Sequence, residues 1–223
     1  MQKASISESV IRRLPRYYRF LSQLEEAGIE RTSSRELGVQ LGLTASQIRQ
    51  DLNCFGEFGQ QGYGYNVSAL RRQLELIIGL DKNRPAVIVG AGNLGKVIAA
   101  NIDFGEYGFR LTGIFDIDRR ICGSEIAGFT VQHMDALEEF CKETEPLIAV
   151  LCIPQEAAQE TADRLKGLGV KGFWNFSHCD LDADRSQVQV ENVHLGDSLM
   201  TLSYRMPKDD EQAGASLTAV HPD

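Results

Sequence analysis

The sequence predicts an α/β fold in which a small, mainly helical domain precedes a doubly wound parallel sheet. First, an apolar run over residues 86–89 ends in a G-x-G-x-x-G motif, and a helical pattern follows over residues 96–104. Second, apolar runs alternate with helical segments through the rest of the chain, which is typical of parallel strands joined by helices. Third, two short helical segments with their own capping residues flank Gly42 in the N-terminal part.

The composition narrows the class of protein. Of the 223 residues, 43% are hydrophobic and 24% are charged, as in ordinary globular proteins. No run of about 18 apolar residues is present, so no membrane span is predicted. The N-terminus mixes Arg and Glu without an apolar core, which predicts a cytoplasmic protein. The five cysteines are far apart and form no C-x-x-C pair, so neither a metal site nor a disulfide framework is predicted.

Charge is unevenly distributed along the chain. Ten basic and eight acidic residues give residues 1–80 a net charge of +2. Thirteen basic and 23 acidic residues give residues 81–223 a net charge of −10. Because nucleic acids are polyanions, any nucleic-acid site is expected in the N-terminal part.

The first element is a helix with one apolar face and a basic start. Its apolar residues recur at helical spacing, and Pro15 suits a first helical turn, so the chain should bend near Leu14 and run as a helix to about Ala27. The apolar face consists of Val10, Leu14, Tyr17, Leu21 and Leu24. The arginines at its start are Arg12, Arg13, Arg16 and Arg19, which form either a solvated face or, for Arg12 and Arg13, a contact with DNA.

The next two helices form a predicted helix-turn-helix. Ser33 and Glu36 have capping-box spacing and open a helix that ends at Gly42. Thr44 and Gln47 repeat that spacing and open a helix over residues 45–55. The side of this helix opposite its apolar face offers hydrogen-bonding side chains suited to a major groove, namely Ser46, Gln50 and Asn53, with Arg49 on the flank. The alternative is a plain helical hairpin with a polar outer face.

Residues 55–67 predict a wing. Glycines alternate with aromatic residues there, which favours a β-hairpin that brings Gln61, Gly62 and Tyr63 to the DNA. Ser68 is expected to cap a further helix to about Leu80, and residues 81–85 form a polar linker. Residues 1–80 are thus predicted to be a winged-helix DNA-binding domain.

The glycine motif predicts a dinucleotide-binding turn. Gly90 permits the tight turn, Gly92 lets the backbone approach a pyrophosphate, and Gly95 lets the helix pack on the strand. The free N–H groups at the helix N-terminus then face the phosphates. The predicted cofactor contacts in this turn are Gly90, Ala91, Gly92, Asn93, Leu94 and Gly95.

A strand over residues 110–116 supplies the second half of this motif. It ends in Asp116, roughly 20 positions after the last glycine, where a carboxylate accepts from the ribose hydroxyls and repels a 2′-phosphate. The cofactor should therefore be NAD(H). The alternative is a glycine turn without a ligand and a solvated aspartate.

The remaining pattern completes a Rossmann sheet over residues 86–194. Since ligands lie beyond the carboxyl ends of parallel strands, Pro154, Asn175 and Phe176 are expected near the nicotinamide, although ordinary strand-end residues remain the alternative. Further strands are expected over residues 128–132, 147–153, 170–176 and 188–193, with helices over residues 135–145 and 155–168. A last apolar-striped helix is expected over residues 195–205, before a polar tail, residues 206–223, that is expected to be disordered.

Both parts, in this order, resemble the Rex family of bacterial redox-sensing repressors, over about residues 4–205. The residues that carry the resemblance are RRLPRYYRFL (12–21), RTSSRELG (31–38), IRQDLNCFGEFG (48–59), GAGNLG (90–95), FDID (115–118), NF (175–176) and VENV (190–193). The resemblance implies a homodimer that binds two-fold symmetric operator DNA when NAD⁺ is bound and releases it as NADH rises. It also implies that the helix over residues 195–205 swaps into the partner subunit, with Arg19 as a polar partner at the joint.

Four positions depart from the family pattern. A typical member has Lys where Gln50 stands and Arg where Gln61 stands, and both are on the predicted DNA face. Some members have Tyr at Asn101 and Asp at His194, two positions that take part in the switch near the nicotinamide. The family's NFAP is NFSH here, residues 175–178.

Two other classes of function stay open. A dehydrogenase or a CoA-binding enzyme can be built on the same Rossmann unit, but no second catalytic domain follows, the four histidines form no acid–base pair, and no catalytic residue is predicted. A purely structural dimer that has lost DNA binding is suggested by Gln50 and Gln61.

Overall fold

The computed structural model describes residues 6–59, 63–184 and 186–206. Internal contacts divide them into two compact units. One holds the described residues up to 85 together with residues 101–111, and the other holds residues 86–100 together with the described residues from 112 onward. Within the described ranges, no helix is both long and apolar enough to cross a membrane.

The first unit is a helical domain with one two-stranded sheet. The predicted bend near Leu14 is the break between its first two helices, and Pro15 lies in the first turn of the second. Four residues of the predicted apolar face are buried, namely Val10, Leu14, Tyr17 and Leu21, and Leu24 is partly buried. The elements are α1 (Glu8–Ile11), α2 (Leu14–Glu26), β1 (Arg31–Thr32), α3 (Ser34–Leu41), α4 (Ala45–Asn53), β2 (Tyr65–Asn66) and α5 (Val67–Ile78).

The predicted helix-turn-helix is confirmed, with a complete capping box at α3 and only the Thr44 half of the predicted box at α4. The Ser33 hydroxyl accepts from the Glu36 N–H, and the Glu36 carboxylate accepts from the Ser33 N–H at 2.7 Å. Gly42 ends α3 with a positive φ of 69°, a conformation that glycine adopts without strain. The Thr44 hydroxyl accepts from the Gln47 N–H at 3.1 Å and opens α4. These local bonds place α4 against α3 with its apolar side inward.

The strand pairing after α4 differs from the prediction. The strand β2 pairs antiparallel with β1, which precedes α3, and not with a strand from residues 55–59. Ser68 is not the cap of α5: the Asn66 side chain accepts from the Ala69 N–H at 2.8 Å, and Ser68 donates to the same oxygen. Asparagine at the strand end can cap the helix two residues earlier, so the helix begins at Val67.

The second part of the chain builds the predicted parallel sheet. Within the described residues, seven strands lie in the order β5-β6-β4-β3-β7-β8-β9, and the β5–β6 pair is antiparallel. The order reverses between β3 and β7, which is the switch point where such folds bind ligands. The elements are β3 (Arg84–Val89), α6 (Asn93–Asn101), β4 (Phe109–Asp116), β5 (Glu125–Ile126), β6 (Phe129–His133), α7 (Leu137–Thr144), β7 (Ile148–Leu151), α8 (Gln155–Gly167), β8 (Gly172–Asn175), β9 (Gln189–Asn192) and α9 (Leu195–Arg205).

Two predicted boundaries in this part were wrong, and one strand, β5, was not predicted. The helix α6 begins at Asn93, inside the glycine motif, and not at Lys96. Arg84 and Pro85 belong to β3 and not to a linker. The predicted single strand over residues 128–132 is the second strand of a hairpin, because Ala127 and Gly128, with φ of 51° and 82°, turn the chain back after β5.

Candidate functional sites

The glycine turn lies between β3 and α6, and its three glycines have different surroundings. Gly90 has a φ of +100°, and a Cβ there would come within 2.3 Å of the Cys152 carbonyl oxygen. A Cβ on Gly95 would come within 1.9 Å of the Gly90 carbonyl oxygen. A Cβ on Gly92 would meet nothing within 4 Å. Gly90 and Gly95 are therefore required by the fold, whereas Gly92 faces open space in which a phosphate can approach the backbone.

Asp116 is brought directly to this turn. One oxygen of its carboxylate accepts from the Ala91 N–H at 2.6 Å, and the other accepts from the Asp118 N–H at 2.8 Å. The turn is also tied to β4 through the Gly90 N–H, which donates to the Phe115 carbonyl at 2.8 Å. The glycine turn after β3 and the aspartate at the end of β4 thus meet in one place. Each Asp116 oxygen keeps a lone pair for a ribose hydroxyl.

A cleft of about 390 Å³ opens beside the turn. It is lined by Gly92 from the turn and by Asp116 and Ile117 from the end of β4. Met134 and Pro154 lie on other parts of its wall. The glycine cradle, the nine-residue helix α6 and the carboxylate together fit a dinucleotide whose adenosine ribose carries free hydroxyls.

Sequence reasoning missed part of this wall. Cys152 and Ile153 line the cleft immediately before Pro154, at the end of β7, and the strand-end rule that selected Pro154 applies to them equally. Burial raises the pKa of the Cys152 thiol to about 12, so the thiol stays protonated and is not a reactive thiolate. Arg164 also lines the cleft from α8, and no sequence signal marked it.

Asn175 and Phe176 have a different setting from the one predicted. Asn175 is 1% exposed, and its amide nitrogen donates to the Cys179 carbonyl at 2.7 Å and to the Asn192 side chain at 2.8 Å. Its amide oxygen accepts from the Ser177 N–H and hydroxyl. Phe176 packs edge-to-face on Trp174. Neither is among the described residues that line the cleft, and their contact with the nicotinamide stays a prediction.

The polar face of α4 is exposed as predicted. Ser46, Arg49, Gln50 and Asn53 are all exposed, whereas Ile48 on the opposite side is fully buried. Beside this face is a groove of about 890 Å³ that is lined by Ser34, Arg49, Asn53 and Phe58, among others. The Arg49 guanidinium donates to the Ser34 hydroxyl at 2.9 Å. Tyr63 is 70% exposed, and Gln61 and Gly62 lie outside the described residues.

Arg13 forms a salt bridge within the protein. Its guanidinium donates to both carboxylate oxygens of Asp51, at 2.6 and 2.8 Å, and the Tyr17 hydroxyl donates to the same carboxylate. Burial acts to raise the pKa of Asp51, but the hydrogen bonds from Arg13 and Tyr17 outweigh it and lower that pKa. The Asp51 side chain is 4% exposed. This pair joins the start of α2 to α4, directly beside Gln50, and a DNA contact of Arg13 stays a prediction.

The other predicted basic and switch residues are spread over the two units. Arg12 pairs with Glu8 at 3.1 Å on the surface. Arg19 and Asn101 are exposed. His194 bonds Asp180 at 3.0 Å, and this hydrogen bond raises the pKa of the imidazole. Asn101 belongs to the first unit and His194 to the second, so their expected contact stays a prediction.

The helix α9 carries its apolar side chains on the surface. Leu195, Leu199 and Leu202 are each more than half exposed, and Tyr204 is 90% exposed. No residue of this helix is buried in the single chain, all of it being described. Among the described residues, no group of three or more His, Cys, Asp or Glu side chains is arranged to hold a metal ion.

Comparison with known proteins identifies both parts of the chain. Residues 5–53 match the family described as "Putative DNA-binding protein N-terminus", and residues 81–179 match the family described as "CoA binding domain". The redox-sensing transcriptional repressor Rex of Thermoanaerobacter pseudethanolicus is 51% identical over 209 residues, which cover 94% of this chain and 93% of that protein. The Rex repressor of Clostridium perfringens is 47% identical over 94% of this chain and 98% of its own length.

Solved structures of a Rex-family repressor, RSP, have the same fold. RSP in complex with β-NAD⁺ and operator DNA superimposes with a TM-score of 0.86 at 51% identity, over 91% of this chain and 93% of RSP. RSP in complex with β-NADH superimposes with a TM-score of 0.84 at 48% identity, over 91% of this chain and 94% of RSP. With half of its residues identical to these proteins over nearly its full length, the chain belongs to the Rex family of redox-sensing transcriptional repressors.

Proposed function

We propose that this protein is a redox-sensing transcriptional repressor that binds operator DNA as a homodimer and is released when NADH rises relative to NAD⁺. The observation that carries the proposal is the bond between Asp116 and the glycine turn, in a chain that also exposes a polar recognition helix. One half of the chain thus fits NAD(H), and the other fits a major groove. Membership of the Rex family supports the proposal that NAD(H) binding and DNA binding are combined in one protein.

Each part has a defined task. The carboxylate of Asp116 accepts from the ribose hydroxyls, and the N–H groups at the start of α6 bind the phosphates. On the DNA side, Arg49 offers positive charge to the phosphates, and Gln50 and Asn53 offer amides that can bond base edges. The nicotinamide supplies the redox signal when bound, since its oxidised ring is cationic and its reduced ring is neutral. The two forms can shift the DNA affinity only if they bind two arrangements of the protein with different affinities.

Operator titration at one fixed salt concentration tests this proposal. Labelled operator of the kind that RSP binds is titrated with the full chain in the presence of NAD⁺, of NADH and of neither, with random-sequence DNA of equal length as the control. We expect binding with NAD⁺ and a Kd raised by roughly tenfold or more with NADH. Equal operator affinity under the three conditions would contradict the redox response, and equal affinity for the two DNAs would contradict operator recognition.

The exposed apolar face of α9 supports the proposal of a homodimer. A helix that leaves Leu195, Leu199, Leu202 and Tyr204 exposed in the single chain needs an apolar surface to bury them. A second copy supplies that surface if α9 swaps between subunits. A variant that ends at His194 should sediment as a monomer and lose its NADH response. A truncated protein that remains a dimer and still releases DNA with NADH would contradict the swapped helix.

The enzyme alternative has lost its support. The relatives are transcriptional repressors, which speaks against a dehydrogenase, and the carboxylate of Asp116 beside the glycine turn favours a dinucleotide over CoA. A hydride-transfer assay with alcohols and hydroxy acids would expose any dehydrogenase activity. The structural-dimer alternative, suggested by Gln50 and Gln61, is decided by the same operator titration.

A further inference from the structure

The loop after β4 contains two adjacent arginines, and each is held by a carboxylate. The Arg120 guanidinium clamps Asp118, with Nε at 2.9 Å from one oxygen and Nη2 at 2.7 Å from the other. The Arg119 guanidinium donates to Asp135 at 2.7 Å. Two fork-shaped cations are therefore neutralised within one short loop.

This loop directly follows Asp116 and Ile117, which line the candidate cleft. The Asp118 N–H donates to the Asp116 carboxylate, so the loop begins on the residue expected to hold the ribose. Asp135 comes from the neighbouring strand end, where His133 is the register partner of Asp116. The His133 ring contacts the Ile117 carbonyl at 3.1 Å and Asp135 at 2.9 Å, which ties the two strand ends together.

A guanidinium near the end of this strand is suited to bind the phosphate that distinguishes NADP from NAD. NADP differs from NAD only by a phosphate on the adenosine 2′-oxygen, and an arginine near the end of this strand is what accommodates that phosphate in dinucleotide-binding folds. The planar guanidinium can bind two phosphate oxygens at once. The chain thus places two groups suited to NADP beside an aspartate suited to NAD.

We infer that Asp118 and Asp135 are specificity determinants that act with Asp116, because they occupy and neutralise two arginines that would otherwise bind the 2′-phosphate of NADP(H). The inference rests on the proposed function, since it concerns the cofactor of the same site. It assigns the rejection of NADP(H) to three carboxylates and not to Asp116 alone.

The charge around the ribose explains why both carboxylates matter. Three aspartates and two arginines give this cluster a net charge of −1 with His133 neutral, which repels a phosphate dianion. Removing the charge of Asp116 alone brings the cluster to zero, and both arginines keep their partners. Removing the charges of Asp118 and Asp135 as well brings it to +2 and leaves both guanidiniums without a carboxylate partner. The arginine side chains are 75% and 89% exposed, so they can turn toward a bound phosphate.

The test compares NADH and NADPH binding by nicotinamide fluorescence in full-chain variants. D116N should narrow the difference in affinity between the two cofactors. The triple variant D116N/D118N/D135N should bind NADPH roughly tenfold tighter than D116N does, because free charge-assisted donors are added for the phosphate. Adding R119Q and R120Q to the triple variant should return the NADPH affinity to the D116N value.

A control variant and a check of folding separate the possible outcomes. E143Q in the D116N background removes an exposed carboxylate from α7 and should leave the NADPH affinity of D116N unchanged. Asp118 and Asp135 lie outside the core, with side chains 33% and 73% exposed, and circular dichroism checks the folding of each variant. Equal NADPH affinity in D116N and the triple variant, with NADH binding intact in the unmodified protein, would overturn this inference and leave the proposed function standing. No NADH binding by the unmodified protein would overturn both.

Discussion

The nucleotide-binding part and the DNA-facing part differ in the atoms that form their candidate sites. The dinucleotide turn is made of backbone, and its geometry requires the absence of side chains at Gly90 and Gly95. The DNA face is made of side chains on α4, and a partly buried pair between Arg13 and Asp51 ties that helix to the start of α2. The first kind of site follows from a short local sequence. The second depends on residues from separate helices and can vary from one relative to another.

The largest effect is expected from adding one methyl group to the glycine turn, at Gly95. G95A places a Cβ 1.9 Å from a carbonyl oxygen, a clash that only movement of the backbone can relieve. We expect a loss of about 4 kcal/mol or more in the free energy of unfolding of the nucleotide-binding part, together with loss of NADH binding. Chemical denaturation and NADH fluorescence titration measure the two quantities.

G92A is the matched control for this prediction. Its Cβ meets nothing within 4 Å, so the stability should stay near that of the unmodified protein while NADH affinity falls. Equal stability of G95A and G92A would show that the turn does not have the close approach described above.

A smaller effect is expected from the pair that supports the DNA face. D51N leaves the Arg13 guanidinium without its carboxylate and should lower the free energy of unfolding of the N-terminal part by about 3 kcal/mol. The control E26Q removes an exposed carboxylate from α2 and should have little effect. If D51N unfolds with the same midpoint as E26Q, the buried pair does not stabilise this part.

The same pair gives a pH dependence with a defined sign. The pKa of Asp51 is lowered in the folded protein, so its contribution is fully present above the unfolded value of about 4 and is lost as pH falls through the folded value. The stability difference between the unmodified protein and D51N should therefore be constant near neutral pH and shrink in acid. Denaturation series at several pH values measure it, and a difference that grows in acid would contradict the assignment.

The smallest effects are expected on the DNA face itself. R49A should weaken binding to all sequences, whereas Q50A should cost about 1–3 kcal/mol on the preferred operator and little on other DNA. The dependence of log K on log salt should be modest, because Gln50 and Gln61, at two predicted DNA-facing positions, are neutral. Binding titrations of both variants on operator and random DNA measure these effects, and a steep salt slope would show that the DNA face is misplaced.

The sequence predicted best what local bonds determine. The capping of α3 by Ser33 and Glu36, the burial of Ile48 and the meeting of Asp116 with the glycine turn all follow from short motifs or from one strand-end rule. The boundaries of α5 and α6 were missed because Asn66 and the glycine motif itself can start a helix earlier than the apolar pattern shows.

Long-range pairing explains what the sequence could not predict. The partner of β2 is β1, which lies before α3 and α4 in the chain, and no local pattern in residues 31–32 marks a strand. The sequence predicts Arg13 as a DNA contact or as part of a solvated face, and its pairing with Asp51 was missed because Asp51 lies on another helix. The one available signal was Asp51 itself, a charged residue three positions after Ile48 on the inward side of α4. Asn175 binds Asn192 across two strands, which a pattern within one strand cannot show.

The NADH affinity of the full chain, measured with and without saturating operator DNA, tests whether the nucleotide site and the DNA face are coupled. Because linkage is reciprocal, the factor by which NADH weakens operator binding must equal the factor by which operator weakens NADH binding. We predict that operator DNA raises the Kd for NADH by roughly tenfold at fixed salt, while random-sequence DNA leaves it unchanged. An NADH affinity that is the same with and without operator would show that NADH binding and operator binding are not coupled.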